Sequence, residues 1–154
     1  MINSRQLSDL LPPVHDRIVH FIAVAEMRFA EKFPEHRWKL QVLSTFRDNE
    51  SQDALYAKGR TVPGPKVTNA RGGYSWHNFH CAADVGILRD GQLTWERGLY
   101  KELGEIGKEC GLTWGGDWNG DGVEQPGDTD LDHFQYTGGL TLADLRAGKQ
   151  IEVA

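Results

Sequence analysis

Glycine is spread so unevenly along this chain of 154 residues that it decides where regular structure can form. Many of the 18 glycines fall between Gly59 and Gly73 and between Gly115 and Gly139, with tryptophan and tyrosine interleaved. Glycine loses more backbone freedom on ordering than any other residue, so helix and strand interiors disfavour it. The two stretches are therefore long loops, and their aromatic residues mark them as ordered. Ordered loops of this length inside a compact domain usually carry function.

The remaining segments show the periodicities of helices and strands. Val14, Ile18, Phe21, Ile22, Ala25 and Phe29 recur at three- and four-residue spacing, which predicts an amphipathic helix over about 13–33. Pro12 and Pro13 suit its first turn and Pro34 its end. Trp38, Leu40 and Val42 alternate with polar residues in a strand running toward Arg47. Asp48 or Asn49 caps a short helix over Ser51–Lys58, closed by Gly59. Ala82–Leu88 reads as a strand, Arg89–Gln92 as a hairpin turn and Leu93–Trp95 as the return strand. Leu99, Leu103, Ile106 and Cys110 predict a second amphipathic helix ending at Gly111. Leu112–Trp114 and His133–Tyr136 are short strands on either side of a Gly/Asp-rich excursion, and Thr141–Ala147 is a terminal helix. No repeat or linker divides the chain, so residues 1–154 are expected to form one small α+β domain.

Composition excludes several classes of function. With a net charge of −5 and no basic run longer than two residues, nucleic acid is not an expected partner. No stretch is long and apolar enough for a membrane span, and Met1–Leu11 lacks the basic-then-apolar layout of a signal peptide. Cys81 and Cys110 are too few for a disulfide framework, and Cys81 reads as a buried small apolar residue.

What remains to explain is a set of histidines and aspartates. His77 closes the first glycine-rich loop, Asp84 lies on the strand that follows, and His133 begins a later strand. Two imidazoles and a carboxylate make the three-ligand set of a hydrolytic zinc site, whose fourth position stays open to water. Asp130 stands three residues before His133, placed to act as a base.

Ser75-Trp76-His77-Asn78-Phe79 with Asp84, then Asp130 and His133-Phe134-Gln135, follow Thr45-Phe46-Arg47 and Gln52, Leu55-Tyr56 and Gly59-Arg60-Thr61. Over roughly residues 40–136 this order resembles the zinc D-Ala-D-Ala carboxypeptidase and L-alanyl-D-glutamate peptidase family. Val67-Thr68-Asn69-Ala70 leading into Ser75 is especially similar to the L-alanyl-D-glutamate endopeptidases of phage lysins. The resemblance implies a hedgehog-type fold with an antiparallel sheet and flanking helices. It implies zinc on His77, Asp84 and His133, Asp130 as general base and Arg47 against the developing oxyanion. Ser75 would orient the ligand loop or the substrate.

The implied substrate is the peptidoglycan stem peptide, cut between L-Ala and D-Glu. The setting that follows is a monomeric endolysin made in a host cytoplasm and released to periplasmic peptidoglycan by a membrane-permeabilising protein. The rival readings are a D,D-carboxypeptidase or dipeptidase, and a non-catalytic zinc-stabilised binding module. Two positions depart from the family pattern. His80 stands where glycine is usual, and is expected as a surface residue at a strand edge; Gln135 replaces a glutamate found in part of the family.

Asp117, Asn119, Asp121, Gly122, Val123 and Asp128 match the ligand and turn positions of an EF-hand calcium loop, with aspartate in place of the final glutamate. Calcium there would order the chain just before Asp130; the alternative is a solvated Asp/Gly loop. His15, His20 and His36 are expected at the surface. Trp76, Trp114 and Trp118 are candidates either for a cleft lining or for the core.

Overall fold

The computed structural model describes residues 1–124 and 129–152. The first long helix, α1 (Pro12–Lys32), places both prolines in its opening turn, where their missing N–H groups are not needed. It buries Val14, Ile18, Phe21, Ala25 and Phe29 along one face, the stripe predicted from their spacing. Full burial of side chains of this size contributes about 1.5–3 kcal/mol each.

That face covers an antiparallel sheet ordered β1-β2-β5-β4, made of β1 (Trp38–Ser44), β2 (Ala82–Arg89), β4 (Thr113–Trp114) and β5 (His133–Gln135). The short β3 (Gln92–Thr94) pairs with the far end of β2 through the expected hairpin, with Asp90 and Gly91 at positive φ in its turn. Helix α3 (Arg97–Glu109) packs beside α1 and buries Leu99, Tyr100, Leu103 and Ile106. Phe21 from α1 meets Phe134 from β5 with ring centroids 4.5 Å apart, and Phe29 stacks on Trp38 at 5.2 Å. An antiparallel sheet flanked by helices is the α+β class expected.

One helix position requires glycine for a packing reason. A Cβ at Gly104 would lie 2.2 Å from the ring of Trp114, so only a bare backbone lets α3 approach β4 this closely. Trp114 is thereby a core residue, 4% exposed, with its indole N–H donated to the Leu131 carbonyl.

Helix α2 (Asn49–Ala57) begins at Asp48, whose carboxylate accepts from the Ser51 N–H at 2.8 Å. Helix α4 (Leu142–Arg146) begins at a reciprocal Thr141–Asp144 capping box. Two short pieces were not predicted: 3-10 turns at Leu7–Asp9 and Trp76–Phe79.

His80 corrects an expectation. It ends the Trp76–Phe79 turn in the left-handed conformation, φ 60°, and its ring stacks on Phe46 with centroids 3.8 Å apart. Its Nδ1 lies 2.6 Å from the Asp9 carbonyl. This backbone is the one glycine adopts most readily, which explains the glycine of the family pattern; the stacking and the tie to Asp9 hold histidine there instead. No helix among the described residues is long and apolar enough to cross a membrane.

Candidate metal centre

Three elements converge on the upper end of β2. Asp84 sits directly opposite His133 in the β2–β5 pairing, so both side chains leave the same face of the sheet. His77 arrives from the 3-10 turn between the first long loop and β2. That turn is fixed by Ser75 and Asn78: Ser75 Oγ accepts from the His77 N–H, and Asn78 Oδ1 accepts from the Ser75 and Gly73 N–H groups. Asn78 Nδ2 in turn donates to the Arg47 carbonyl, and the Arg47 N–H donates to the carbonyl of His77. Ser75 thus orients the ligand turn, one of its two expected roles.

His77 Nε2 stands 3.1 Å from Asp84 Oδ1, and His133 Nδ1 stands 3.3 Å from the same oxygen. The ligand atoms of His77, Asp84 and His133 lie within 4.8 Å of one another. Each imidazole is held from behind by an acceptor. His77 Nδ1 is 2.7 Å from the Thr45 carbonyl, and His133 Nε2 is 2.7 Å from Gln135 Oε1. An imidazole that donates from its outer nitrogen presents a lone pair with the inner one. Two lone pairs and a carboxylate oxygen then face a single point, an arrangement that fits a cation. The donor set, two imidazole nitrogens and one carboxylate, suits zinc.

Without a cation, protons must take this place. Burial opposes the charged form of Asp84, but the charge of His77 and the hydrogen bonds from both histidines outweigh it and hold the carboxyl far below the usual range. Burial likewise opposes charge on His133, yet Asp84 raises it to about 9.

Asp130 lies beyond this cluster, half exposed, with Oδ2 3.9 Å from His133 Nδ1. Gly115 makes that position possible: a Cβ there would lie 2.1 Å from the Asp130 carbonyl. The Gly115 carbonyl also accepts the Asp130 N–H. Asp132 is a site residue that sequence patterning did not single out. Burial, a hydrogen bond with Asp130 and the charge of Asp84 push it up to about 8. The only signal in the chain was its place between Asp130 and His133.

Arg47 faces the same cleft, clamped by Nη1 to Gln52 Oε1 at 2.9 Å and by Nη2 to Ser44 Oγ at 3.1 Å. Burial lowers its pKa, against the charges of Asp84 and Asp130. Its buried Nε has no hydrogen-bond partner, which leaves a donor beside the cluster. Gln52, fully buried, ties Arg47 to the long loop by donating from Nε2 to the Ala70 carbonyl.

The cavity above these groups holds about 670 Å³ and is lined by Arg47, Thr68–Ala70, Tyr74–His77, Trp118 and Asp130 among others. Trp76 and Trp118 are therefore cleft residues, unlike Trp114, and Trp118 lies over His133 with centroids 5.0 Å apart. Cys81 is fully buried, its thiol pushed up to about 12 by burial, and takes no part in the site.

The proposed calcium loop lies next to this cleft. Gly122 N–H donates to Asp117 Oδ2, Asp121 N–H to Asn119 Oδ1 and Val123 N–H to Asp121 Oδ1. Asp117 is 2% exposed; Lys108 Nζ contacts its Oδ2 at 2.8 Å, and its Oδ1 has no hydrogen-bond partner among the described residues. Asp128 lies outside the described residues.

Residues 68–136, the segment carrying all three candidate ligands and Asp130, match the peptidase M15 family described as D-alanyl-D-alanine carboxypeptidase. Over 83 residues the chain is 41% identical to the peptidoglycan L-alanyl-D-glutamate endopeptidase CwlK of Bacillus subtilis, covering 47% of this chain and 50% of that protein. The chain thus spans about half the length of the curated relative it matches. The crystal structure of the L-Ala D-Glu endopeptidase ChiX of Serratia marcescens superposes with a TM-score of 0.50 at 19% identity, over 91% of this chain and 86% of that one. At that identity the likeness is one of fold.

Proposed function

From the match of residues 68–136 to the peptidase M15 family, we propose that the chain is a zinc peptidase cutting the L-alanyl-D-glutamate bond of peptidoglycan stem peptides. The observation that carries this reading is the convergence of His77 Nε2, Asp84 Oδ1 and His133 Nδ1, with Asp130 at its edge and half exposed to the cleft. His77, Asp84 and His133 would hold the metal. When bound, zinc supplies Lewis acidity and lowers the pKa of water to about 7.

The chain's own residues do the rest. Asp130 takes the proton of the attacking water and returns it to the departing amine. Asp132 is hydrogen-bonded to Asp130 and holds it in place. The Arg47 guanidinium, fixed by Gln52 and Ser44, stabilises negative charge on the scissile carbonyl oxygen. Trp118 and Trp76 shield the reacting groups from bulk water.

Residues 1–154 act as a single domain and a monomer in this reading. The setting we infer is a phage or prophage endolysin acting on peptidoglycan after a membrane-permeabilising protein releases it. Calcium on Asp117, Asn119, Asp121 and the Val123 carbonyl, with Asp128 completing the set, would order the approach to Asp130. The unpartnered Asp117 Oδ1 supports this, and Lys108 must release Oδ2 for it to happen, so affinity is weak. A calcium-selective chelator is expected to lower activity while zinc stays bound; equal activity in both conditions removes the calcium step.

The deciding experiment is mass spectrometry of purified Gram-negative peptidoglycan digested with the protein, zinc-loaded and zinc-chelated. New D-Glu amino termini that vanish on chelation are the expected result. Release of free D-Ala would move the protein to the D,D-carboxypeptidase branch, which the family description supports. No product in the loaded state would favour a zinc-stabilised binding module.

A further inference from the structure

Tyr74, three residues before the first histidine ligand, forms part of the cleft wall and is 40% exposed. Two guanidiniums lie over its ring. Arg71 Cζ is 4.4 Å from the ring centroid and Arg146 Cζ is 4.2 Å from it. A bond from Arg71 and the charges of both arginines hold the Tyr74 phenol below its ordinary value.

The two cations come from separate parts of the fold, and each is presented by an anchored backbone. Arg71 is flanked by the Ala70 carbonyl, bonded to Gln52, and by the Gly72 N–H, bonded to Asp53. Arg146 ends the capped helix α4, whose first residue, Leu142, also lines the cleft. Both arginines are exposed, and neither forms an ion pair among the described residues. The neighbouring carboxylates are already engaged: Asp53 by the Gly72 N–H, and Asp144 by Thr141 and Lys149.

Both guanidiniums are held against one exposed ring, so an anion at this rim meets two positive charges. An anionic group of the substrate is attracted to this rim. In a γ-linked D-glutamyl residue the α-carboxylate stays free, next to the bond that the proposed activity cuts.

We propose that Arg71 and Arg146, braced on Tyr74, bind the free α-carboxylate of the substrate's D-glutamyl residue and make the enzyme prefer the acid over its amide. The inference deepens the peptidase reading and rests on it for the identity of the anion. Arginine suits the task because its planar fork pairs bidentately with a carboxylate.

The test is calorimetry with γ-D-glutamyl-L-lysine and its D-isoglutaminyl counterpart, whose α-carboxamide is uncharged; both lack the scissile bond and they differ only in this group. Wild type is expected to bind the acid about tenfold more tightly than the amide. Arg71→Gln and Arg146→Gln each reduce that preference, and the double variant abolishes it while leaving affinity for the amide unchanged. Arg146→Lys, which keeps the charge, retains part of it. Equal binding of the two peptides by wild type overturns the inference. So does a preference that survives in the double variant, or a parallel loss of both peptides, which would mark the arginines as structural. Cleavage of L-Ala-D-Glu by wild type, measured alongside, decides the peptidase reading separately.

Discussion

Replacing Gln135 by leucine tests whether the site is built to present a lone pair from His133. Gln135 and His133 are 3% and 4% exposed, and the 2.7 Å contact from His133 Nε2 to Gln135 Oε1 is what assigns the outer proton. Leucine fills a similar volume but accepts nothing, so a buried N–H loses its partner. Such a loss costs about 1–3 kcal/mol. For a chain of this length each kcal/mol lowers Tm by roughly 2–4 °C. The expected Tm decrease in the metal-free protein is therefore several degrees, with the fold retained.

The imidazole also loses its orientation and tautomer, for which metal affinity typically falls about 10–100-fold, or roughly 1.4–2.8 kcal/mol. The two figures agree because the same hydrogen bond underlies both. Gln135→Glu restores an acceptor at the same place and is expected to bind zinc at least as tightly as wild type. The assay is zinc competition against a chromophoric chelator, with Tm followed in parallel by circular dichroism. A folded Gln135→Leu protein that binds zinc within about twofold of wild type would refute the reasoning, since His133 orientation would then not depend on Gln135.

Asp130→Asn is expected to keep zinc stoichiometry while kcat falls by about 10²–10⁴, the usual contribution of a general base; retained turnover would remove Asp130 from that role. Gly104→Ala places a methyl 2.2 Å from the Trp114 ring, and overpacking of about 1–3 kcal/mol should exceed the roughly 1 kcal/mol that alanine gains in helix propensity. Urea unfolding reads the net sign, and a stabilised variant would mean that β4 moves away easily. Asp48 is held below the ordinary carboxylate range, first by the Ser51 N–H, so its contribution is complete above that range and disappears as pH falls through its lowered native value. Asp48→Asn keeps an acceptor without that charge and should flatten the acid limb of the Tm–pH curve; an unchanged limb would place the acid sensitivity elsewhere.

Local patterning made most of the framework legible. The α1 stripe, the Arg89–Gln92 hairpin and the Thr141 cap each depend on residues a few positions apart, and α1, β2 and α3 fall within a residue or two of their expected ends. The three residues of the candidate metal cluster, His77, Asp84 and His133, were also picked out from the sequence, and the structure brings them together. The turn at Trp76–Phe79 was not, because it is held by Asn78 reaching the Arg47 carbonyl from a distant segment. His80 was misplaced for the same reason: Phe46 and Asp9, which stabilise its left-handed backbone, are remote in the chain.

By itself, the order of residues determined which groups could hold a metal and where helices and strands could run. Only the tertiary structure decided which nitrogen of each histidine turns inward, that burial and Asp130 raise the Asp132 carboxyl, and that Arg71 and Arg146 meet on one tyrosine. Periodicity and residue type act over a single turn or strand pair. Hydrogen-bond direction, desolvation and charge neighbourhood arise only where segments far apart in the chain come into contact.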